Sequence, residues 1–217
     1  MDFENLYPFW NQLNDEEKKL VEDTCYTEEY AKDSLMLRST DTCEGLLTIL
    51  NGMLRAYIIS EEGREITLFR VFGGDVCVLS ASNLMDTIEF EVNIEAAENT
   101  TVLVLPSISL NRIMKTNPYM ELYLYKSATE KFSDVMWTIQ QILFKKIDQR
   151  VAGFIWDECV RTGELELSIT HDEIAHYIGS AREVVTKVLK YLASQDLIEL
   201  KRGKIVVLDK EKLKNFL

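Results

Sequence analysis

Thr170-His171-Asp172-Glu173-Ile174-Ala175-His176-Tyr177-Ile178-Gly179-Ser180-Ala181-Arg182-Glu183-Val184-Val185-Thr186-Lys187-Val188-Leu189-Lys190-Tyr191-Leu192 is the stretch that decides how the C-terminal part of this chain folds. Thr170 with Glu173 has the capping-box spacing, in which each side chain satisfies the other residue's backbone amide at a helix start. The helix that follows carries Ile174, Ala175 and Ile178. Gly179 breaks it, and a second helix is predicted from about Arg182 to Ala193, with Val184, Val185, Val188, Leu189 and Leu192 apolar. Two helices crossing near a right angle need a small residue where they touch, a place that Ala175 fills. Four residues later they need one that tolerates positive φ, a place that Gly179 fills. Ile174, Ile178, Val185 and Val188 supply the core between them. This is a helix-turn-helix pattern. Beyond it, Leu197–Leu200 and Lys204–Leu208 flank Lys201-Arg202-Gly203, a hairpin with a basic tip that reads as a wing.

Upstream, the periodicity changes. Asn14-Asp15-Glu16-Glu17 is another capping box and opens a short helix through Val21. From about Ser34 to Leu105 the chain reads as short strands: Leu46–Leu50, Met53–Ser60, Glu65–Phe72, Val76–Leu79, Glu91–Glu95 and Thr101–Leu105. Turn residues fall between them at Asn51-Gly52, Glu62-Gly63, Gly73-Gly74 and Asn99. Asn51-Gly52 is a two-residue hairpin signal, because a type I′ turn needs positive φ at both central positions. Many short strands at regular spacing predict a small antiparallel barrel or jelly roll. Asn117-Pro118 then introduces a long helix. Along it Tyr125, Phe132 and Ile139 recur every seven residues, interleaved with Thr129, Met136 and Leu143, and this narrow stripe suits a partner helix. A helix from Gln149, stopped at Gly163, and a strand at Leu165–Ile169 lead into the quoted segment.

Composition narrows the function. The 217 residues are 47% hydrophobic and 28% charged, globular values with no apolar run long enough to span a bilayer. The acidic start, Met1-Asp2-Phe3-Glu4, lacks the layout of a signal peptide, and Cys25, Cys43, Cys77 and Cys159 form no CxxC pair. A cytoplasmic protein with reduced thiols is expected. The two histidines, His171 and His176, both lie in the helix-turn-helix, where the surface of its first helix is the expected place for them. Residues 1–170 therefore contain no histidine for a metal centre or a nucleophile–His–acid set. No catalytic residues, metal or cofactor are assigned. The net charge of −12 is uneven: residues 1–144 hold 11 Lys/Arg against 24 Asp/Glu, whereas 180–214 hold 9 against 5. An acidic body with a basic C-terminal end is an asymmetry that can mark a nucleic-acid-binding module.

In that reading the second helix enters the major groove of double-stranded DNA with its N-terminal residues against base edges. Arg182 is suited to guanine O6/N7 and Glu183 to the cytosine amine, with Thr186 and Lys187 on the same side. Ser180, Lys190, Lys201, Arg202 and Lys204 are the candidate phosphate contacts, which position the module without reading sequence.

Taken together, the β-roll, the Asn-Pro before a long helix, Ile169 through Ala175, Gly179-Ser180-Ala181-Arg182-Glu183 and Val188-Leu189-Lys190-Tyr191-Leu192 resemble the catabolite-activator and fumarate–nitrate regulator (Crp/Fnr) family over essentially the whole chain. Gly74-Asp75 looks like the family's Gly-Asp turn, and Gln149-Arg150-Val151-Ala152 like its post-hinge helix start. The resemblance implies an α+β protein: a cyclic-nucleotide-binding-like β-roll sensor over 1–117, a dimerisation helix over 118–145 and a winged helix-turn-helix over 146–217. It also implies a homodimer, a palindromic DNA site, a small-molecule effector of unknown identity and RNA polymerase as a partner, and it places the base-reading positions on Arg182, Glu183, Thr186 and Lys187. Ala181 departs from the family, which usually has Ser or Thr capping the recognition helix there; Ser180 is the neighbour that could take over the cap.

The resemblance also shows which signals do not match. Cyclic-nucleotide binders use a Gly-Glu pair, an Arg-Ser pair and a dimer-helix Thr-Ser pair; here these read Val78-Leu79, Phe90-Glu91 and Val135-Met136. An N-terminal cysteine cluster for iron–sulfur is absent, and the haem member's His position is Leu79. Thiol redox sensing at Cys25, Cys43 or Cys77 stays open. The candidate effector wall, Glu89, Phe90, Glu91, Tyr125, Phe132, Val135 and Met136, is acidic and apolar and disfavours anions. A cupin-like enzyme and a small-molecule-binding adaptor whose helix-turn-helix does not meet DNA are the competing readings. Because Phe90-Glu91 offers a phosphate no counter-charge, calorimetric titration with cyclic AMP or cyclic GMP is expected to give no binding heat. Micromolar binding of either nucleotide would overturn this view of the roll.

Overall fold

The computed structural model describes residues 1–37, 45–77 and 92–216. In chain order, the strands among them are β1 (Tyr26–Tyr30), β2 (Leu35–Leu37), β3 (Gly45–Asn51), β4 (Met53–Ile59), β5 (Glu65–Phe72), β6 (Val76–Cys77), β7 (Asn93–Ala96), β8 (Thr100–Pro106), β9 (Glu166–Leu167), β10 (Ile198–Lys201) and β11 (Lys204–Val207). The helices are α1 (Phe3–Leu6), α2 (Asp15–Thr24), α3 (Ser107–Met114), α4 (Pro118–Phe144), α5 (Ile147–Thr162), α6 (His171–Ile178), α7 (Arg182–Ser194) and α8 (Lys210–Asn215), with a 3₁₀ turn at Trp10–Gln12. The chain divides into two compact units, Met1–Ile58 with Leu68–Val135, and Ile59–Thr67 with Met136–Leu217.

In the first unit, two four-stranded sheets, ordered β1-β8-β3-β6 and β2-β7-β4-β5, form the expected roll. Alternate residues of both sheets point inward, and Ile49, Leu54, Val71, Ile94, Val102 and Val104 form the core between them. Leu103 and Leu105, on the other face of β8, pack with Tyr7, Trp10, Val21, Leu110, Met120 and Leu124 from the helices.

Two expectations are corrected. Asn51-Gly52 does not close a hairpin: β3 and β4 lie in different sheets, so this is a corner where the chain crosses from one sheet to the other. Gly52 is required for its φ of 90° and for close approach, since a Cβ there would stand 2.5 Å from Thr100 Oγ1 and 2.6 Å from the Asn99 carbonyl. The second correction is β1, which the strand pattern omitted because of Glu28 and Glu29. It pairs with β8 from Tyr26↔Val104 to Tyr30↔Thr100 at the sheet edge, where backbone pairing suffices and charged side chains are tolerated.

The Asn14 capping box forms as expected, with both reciprocal bonds at 2.9 Å, and α2 runs on to Thr24 rather than stopping at Val21. Its Glu17 is buried and also accepts from Thr116 Oγ1 (2.8 Å) and Asn117 Nδ2 (2.9 Å). Burial opposes the charge on Glu17, but the bonds from Asn117, Asn14 and Thr116 outweigh it and hold the carboxyl below its ordinary pKa. Asn117 in turn accepts from the Tyr119 amide at 3.0 Å, so one network ties α2 to the start of α4. Pro118 opens α4 where its missing N–H costs nothing. Early in α4, Met120 and Leu124 are buried. Further along, Tyr125, Phe132 and Leu143 are 48%, 61% and 67% exposed, and Thr129, Met136 and Ile139 are exposed as well.

In the second unit, α5, α6, α7 and α8 surround a small sheet ordered β10-β11-β9. Val151, Ile155, Ile174, Val185, Leu189, Leu192, Ile198 and Ile205 form its core. Helix α8, not anticipated from the sequence, buries Leu213 in that core and sets Lys210 and Lys214 over the Trp156 ring. Its six residues are too few for a periodicity signal.

Candidate nucleic-acid interface

The helix-turn-helix is built as its residue pattern requires. Thr170 Oγ1 accepts from the Glu173 amide at 3.1 Å, and the Thr170 amide donates to the Glu173 carboxylate at 2.8 Å, so α6 begins with both donors satisfied. It ends at Gly179 in the left-handed region, φ 61° and ψ 54°. The Ser180 amide reaches back to the Ala175 carbonyl at 2.9 Å, and Ala175 is buried at the contact. This closure turns the chain sharply and sets the start of α7.

Along α7 the inward positions Val185, Val188, Leu189 and Leu192 are buried, which leaves Arg182, Glu183, Lys187 and Lys190 exposed. Thr186 is half-buried, and its Oγ1 lies 3.0 Å from His171 Nδ1. His171 is therefore not a plain surface residue of α6, although His176 is exposed. Burial, then the positive charges of Arg182 and Lys190, hold the His171 imidazole below its ordinary pKa and keep the ring neutral beside Thr186. Charge and spacing on α6 gave no hint of this pairing, since it depends on how α6 crosses α7.

The wing is present as β10 and β11 joined through Arg202-Gly203, with Ile198↔Val207 and Lys201↔Lys204 as its end pairs. Arg202 is exposed at the tip. Lys201 pairs with Glu199 at 3.2 Å and Lys204 with Glu166, so two of the candidate phosphate contacts already face carboxylates. Such exposed pairs contribute little, because solvent screens them, and exchange readily for another anion.

Of the candidate effector wall, Glu89, Phe90 and Glu91 lie outside the described residues, as do Val78 and Leu79. Tyr125, Phe132 and Met136 are exposed on α4, and Val135 is half-buried against the core of the roll. Burial pushes the Cys25 thiol up to about 11, which leaves little reactive thiolate at neutral pH; Cys77 is buried and Cys43 lies outside the described residues.

Two arginines outside the expected contact residues also meet the α6–α7 turn. Arg150 donates to the Ile178 carbonyl and Arg64 to the Gly179 carbonyl.

An antiparallel β-roll, a long helix with an exposed apolar stripe and a winged helix-turn-helix together define a two-part regulator: a sensor-type domain carrying a DNA-binding-type domain. Residues 27–117 match the cyclic nucleotide-binding domain family, and residues 149–216 match the Crp-like helix-turn-helix domain family. A crystal structure assigned to a transcriptional regulator of the Crp/Fnr family from Eubacterium rectale is 43% identical, covers 98% of both chains and superposes with a TM-score of 0.91. The chain belongs to the Crp/Fnr family of transcription regulators. Among curated relatives, the transcriptional regulator SdrP of Thermus thermophilus is 29% identical over 76% of this chain and 80% of its own. The transcriptional activator protein FnrA of Stutzerimonas stutzeri is 25% identical over 82% of this chain and 75% of its own. Among the described residues no helix is long and apolar enough to cross a membrane.

The family departure at Ala181 has a structural consequence. Ala181 occupies the N-cap of α7 and, among the described residues, no side chain caps the helix, so Ser180 does not take over. Replacing Ala181 with Ser is expected to raise stability by about 1 kcal/mol, read from the urea midpoint at unchanged m-value. An unchanged midpoint would mean that the first amides of α7 gain nothing from a protein cap.

Proposed function

We propose that the protein is a homodimeric, sequence-specific DNA-binding regulator controlled by a signal received in the β-roll, and that this signal is neither cyclic AMP nor cyclic GMP. The observation that carries the reading is the start of α7. A tightly closed turn presents Arg182, Glu183 and Lys187 side by side on one exposed face, beside a wing whose tip is Arg202. The uncapped amides at the start of α7 carry the positive end of a helix dipole, which favours a phosphate oxygen. The acidic body repels DNA, so affinity rests on this local basic face and weakens with salt.

Dimerisation is proposed along α4. Tyr125, Thr129, Phe132, Met136, Ile139 and Leu143 keep the heptad spacing and are all exposed, the arrangement expected of side chains that pack on a second copy of the helix. The signal is proposed to be a small molecule of unidentified class or a redox change, and RNA polymerase a further partner. The chain is proposed to carry no catalytic activity.

The dimer is tested by replacing both Phe132 and Ile139 with Glu, which would bury like charges across the two-fold axis. The expected outcome is a monomer in sedimentation; a double mutant that still sediments as a dimer would place the interface elsewhere.

The DNA reading is tested by binding-site selection with wild type, Arg182→Ala and Lys201→Ala. Wild type is expected to select a two-fold symmetric site with half-site centres roughly 34 Å apart. Arg182→Ala should cost about 1–3 kcal/mol and relax preference at one base pair per half-site. Lys201→Ala should weaken all sequences alike and flatten the salt slope by about one unit. The opposite pattern would reverse the two roles, and wild type that selects nothing would favour the adaptor reading.

A further inference from the structure

The last carbonyls of a helix have no partner within it and must find one outside. At the end of α6 those partners come from distant parts of the sequence. Thr67 Oγ1 donates to the His176 carbonyl at 3.1 Å, and Arg150 donates through Nη2 to the Ile178 carbonyl. Arg64 donates through both Nε (3.1 Å) and Nη2 to the Gly179 carbonyl. Arg64 stands at the end of the turn joining β4 to β5, which is itself closed by hydrogen bonds. The Gly63 amide donates to the Ser60 carbonyl (2.9 Å), the Ser60 amide to the Arg64 carbonyl (2.9 Å) and the Arg64 amide to Ser60 Oγ (3.1 Å). The same hairpin crowds Gly179 directly, since a Cβ there would stand 3.1 Å from the Ile66 side chain and 3.4 Å from the Glu65 carbonyl. Gly179 is thus needed twice, for its positive φ and for this close approach.

Two guanidinium groups converging on adjacent carbonyls repel each other. Burial first, and then the charge of Arg64, pull the Arg150 pKa below its ordinary value. What offsets the repulsion is the negative end of the α6 dipole and the carbonyls themselves. The residue after Gly179 is Ser180 and the one after that is the N-cap of α7, so whatever holds the Gly179 carbonyl also sets the direction in which the recognition helix departs.

We propose that Arg64, in the β4–β5 hairpin and outside the helix-turn-helix itself, is a positioning residue for the recognition helix: by holding the Gly179 carbonyl it aims Arg182 and Glu183 without touching DNA. This rests on the DNA-binding reading above. It distinguishes Arg64 from Lys201 and Arg202, whose assigned work is contact with phosphate.

The test uses the full-length chain as wild type, R64A and R64K. Three quantities are measured: affinity for a duplex recovered by wild-type site selection, affinity for sheared DNA of unrelated sequence across a salt series, and amide hydrogen exchange at Ser180–Glu183 in the DNA-free protein. R64A is expected to lose roughly three- to tenfold on the selected duplex, the scale set by freeing one carbonyl from its hydrogen-bond partner, with affinity for sheared DNA and the salt slope unchanged. Exchange at Ser180–Glu183 should quicken, and R64K, which can still donate to the same carbonyl, should recover part of both losses. A salt slope lower by about 0.9 in R64A would make Arg64 a phosphate contact and overturn the proposal. Equal losses on both DNAs, or unchanged exchange, would overturn it as well. Should R64A fail to fold, R64K carries the same comparison with a smaller loss expected, and parity with wild type in both ratio and exchange rejects the proposal. If wild type binds neither DNA, the DNA-binding reading fails by itself, and the exchange comparison still decides whether Arg64 holds the turn.

Discussion

The geometry of the second unit depends on the few backbone atoms between Ile178 and Ala181. Helix α6 must end, the chain must turn through a left-handed residue, and α7 must begin pointing in one direction and no other. Gly179 makes the turn sterically possible, and the bond from the Ser180 amide to the Ala175 carbonyl closes it. The Ile178 and Gly179 carbonyls would be without a donor at a partly buried helix end, a situation that costs about 1–3 kcal/mol per group. Arg150 and Arg64 relieve it, and Thr67 adds to the bond that the His176 carbonyl already accepts from the Gly179 amide. In the proposed DNA-binding role, a base-reading side chain works only when its donors reach within hydrogen-bond distance of a base edge, so the way this turn is closed would bear on how well Arg182 discriminates.

A similar economy governs the first unit. Glu17 is charged and buried, which is unfavourable unless every lone pair finds a donor. Asn14, Thr116 and Asn117 supply those donors, and the resulting network holds the N-terminal helix against the residue pair that starts α4. The Asn-Pro landmark therefore has a physical role beyond punctuation. Asn117 links two helices through its side chain, while Pro118 occupies the first position of the next helix. The long helix then leaves its buried contacts at Met120 and Leu124 behind and presents an apolar stripe outward.

Much of this was legible in the residue order because the signals are local. Capping boxes at Asn14 and Thr170 and the Ala175–Gly179 spacing each depend on residues within a turn or two of one another and formed as expected, and the heptad stripe lies along one continuous helix. The boundaries of β5, and those of the wing strands to within a residue, followed from runs of strand-favouring residues punctuated by glycine. The failures share the opposite character. Asn51-Gly52 carries the same local signature whether the next strand pairs with the last or crosses to the facing sheet, and only the packing of Thr100 against Gly52 settles which. Edge strand β1 was hidden because its partner is some seventy residues away along the chain and its charged residues are chosen for solvent, not for alternation.

By itself, then, the sequence determined where the capped helices begin, which helix faces are apolar, that the basic residues gather at the C-terminal end, and which family the chain resembles. The helix faces and caps follow from short-range sterics, capping and periodicity, which a linear string records directly, while the family followed from the resemblance of whole motifs. The tertiary structure alone decided that β3 and β4 part company, that His171 pairs with Thr186, that Ala181 leaves α7 uncapped, and that Arg64 reaches the Gly179 carbonyl from a hairpin more than a hundred positions upstream. Such contacts come from residues with no neighbouring pattern to announce them, and they exist only once loop closure has been overcome and distant segments lie side by side.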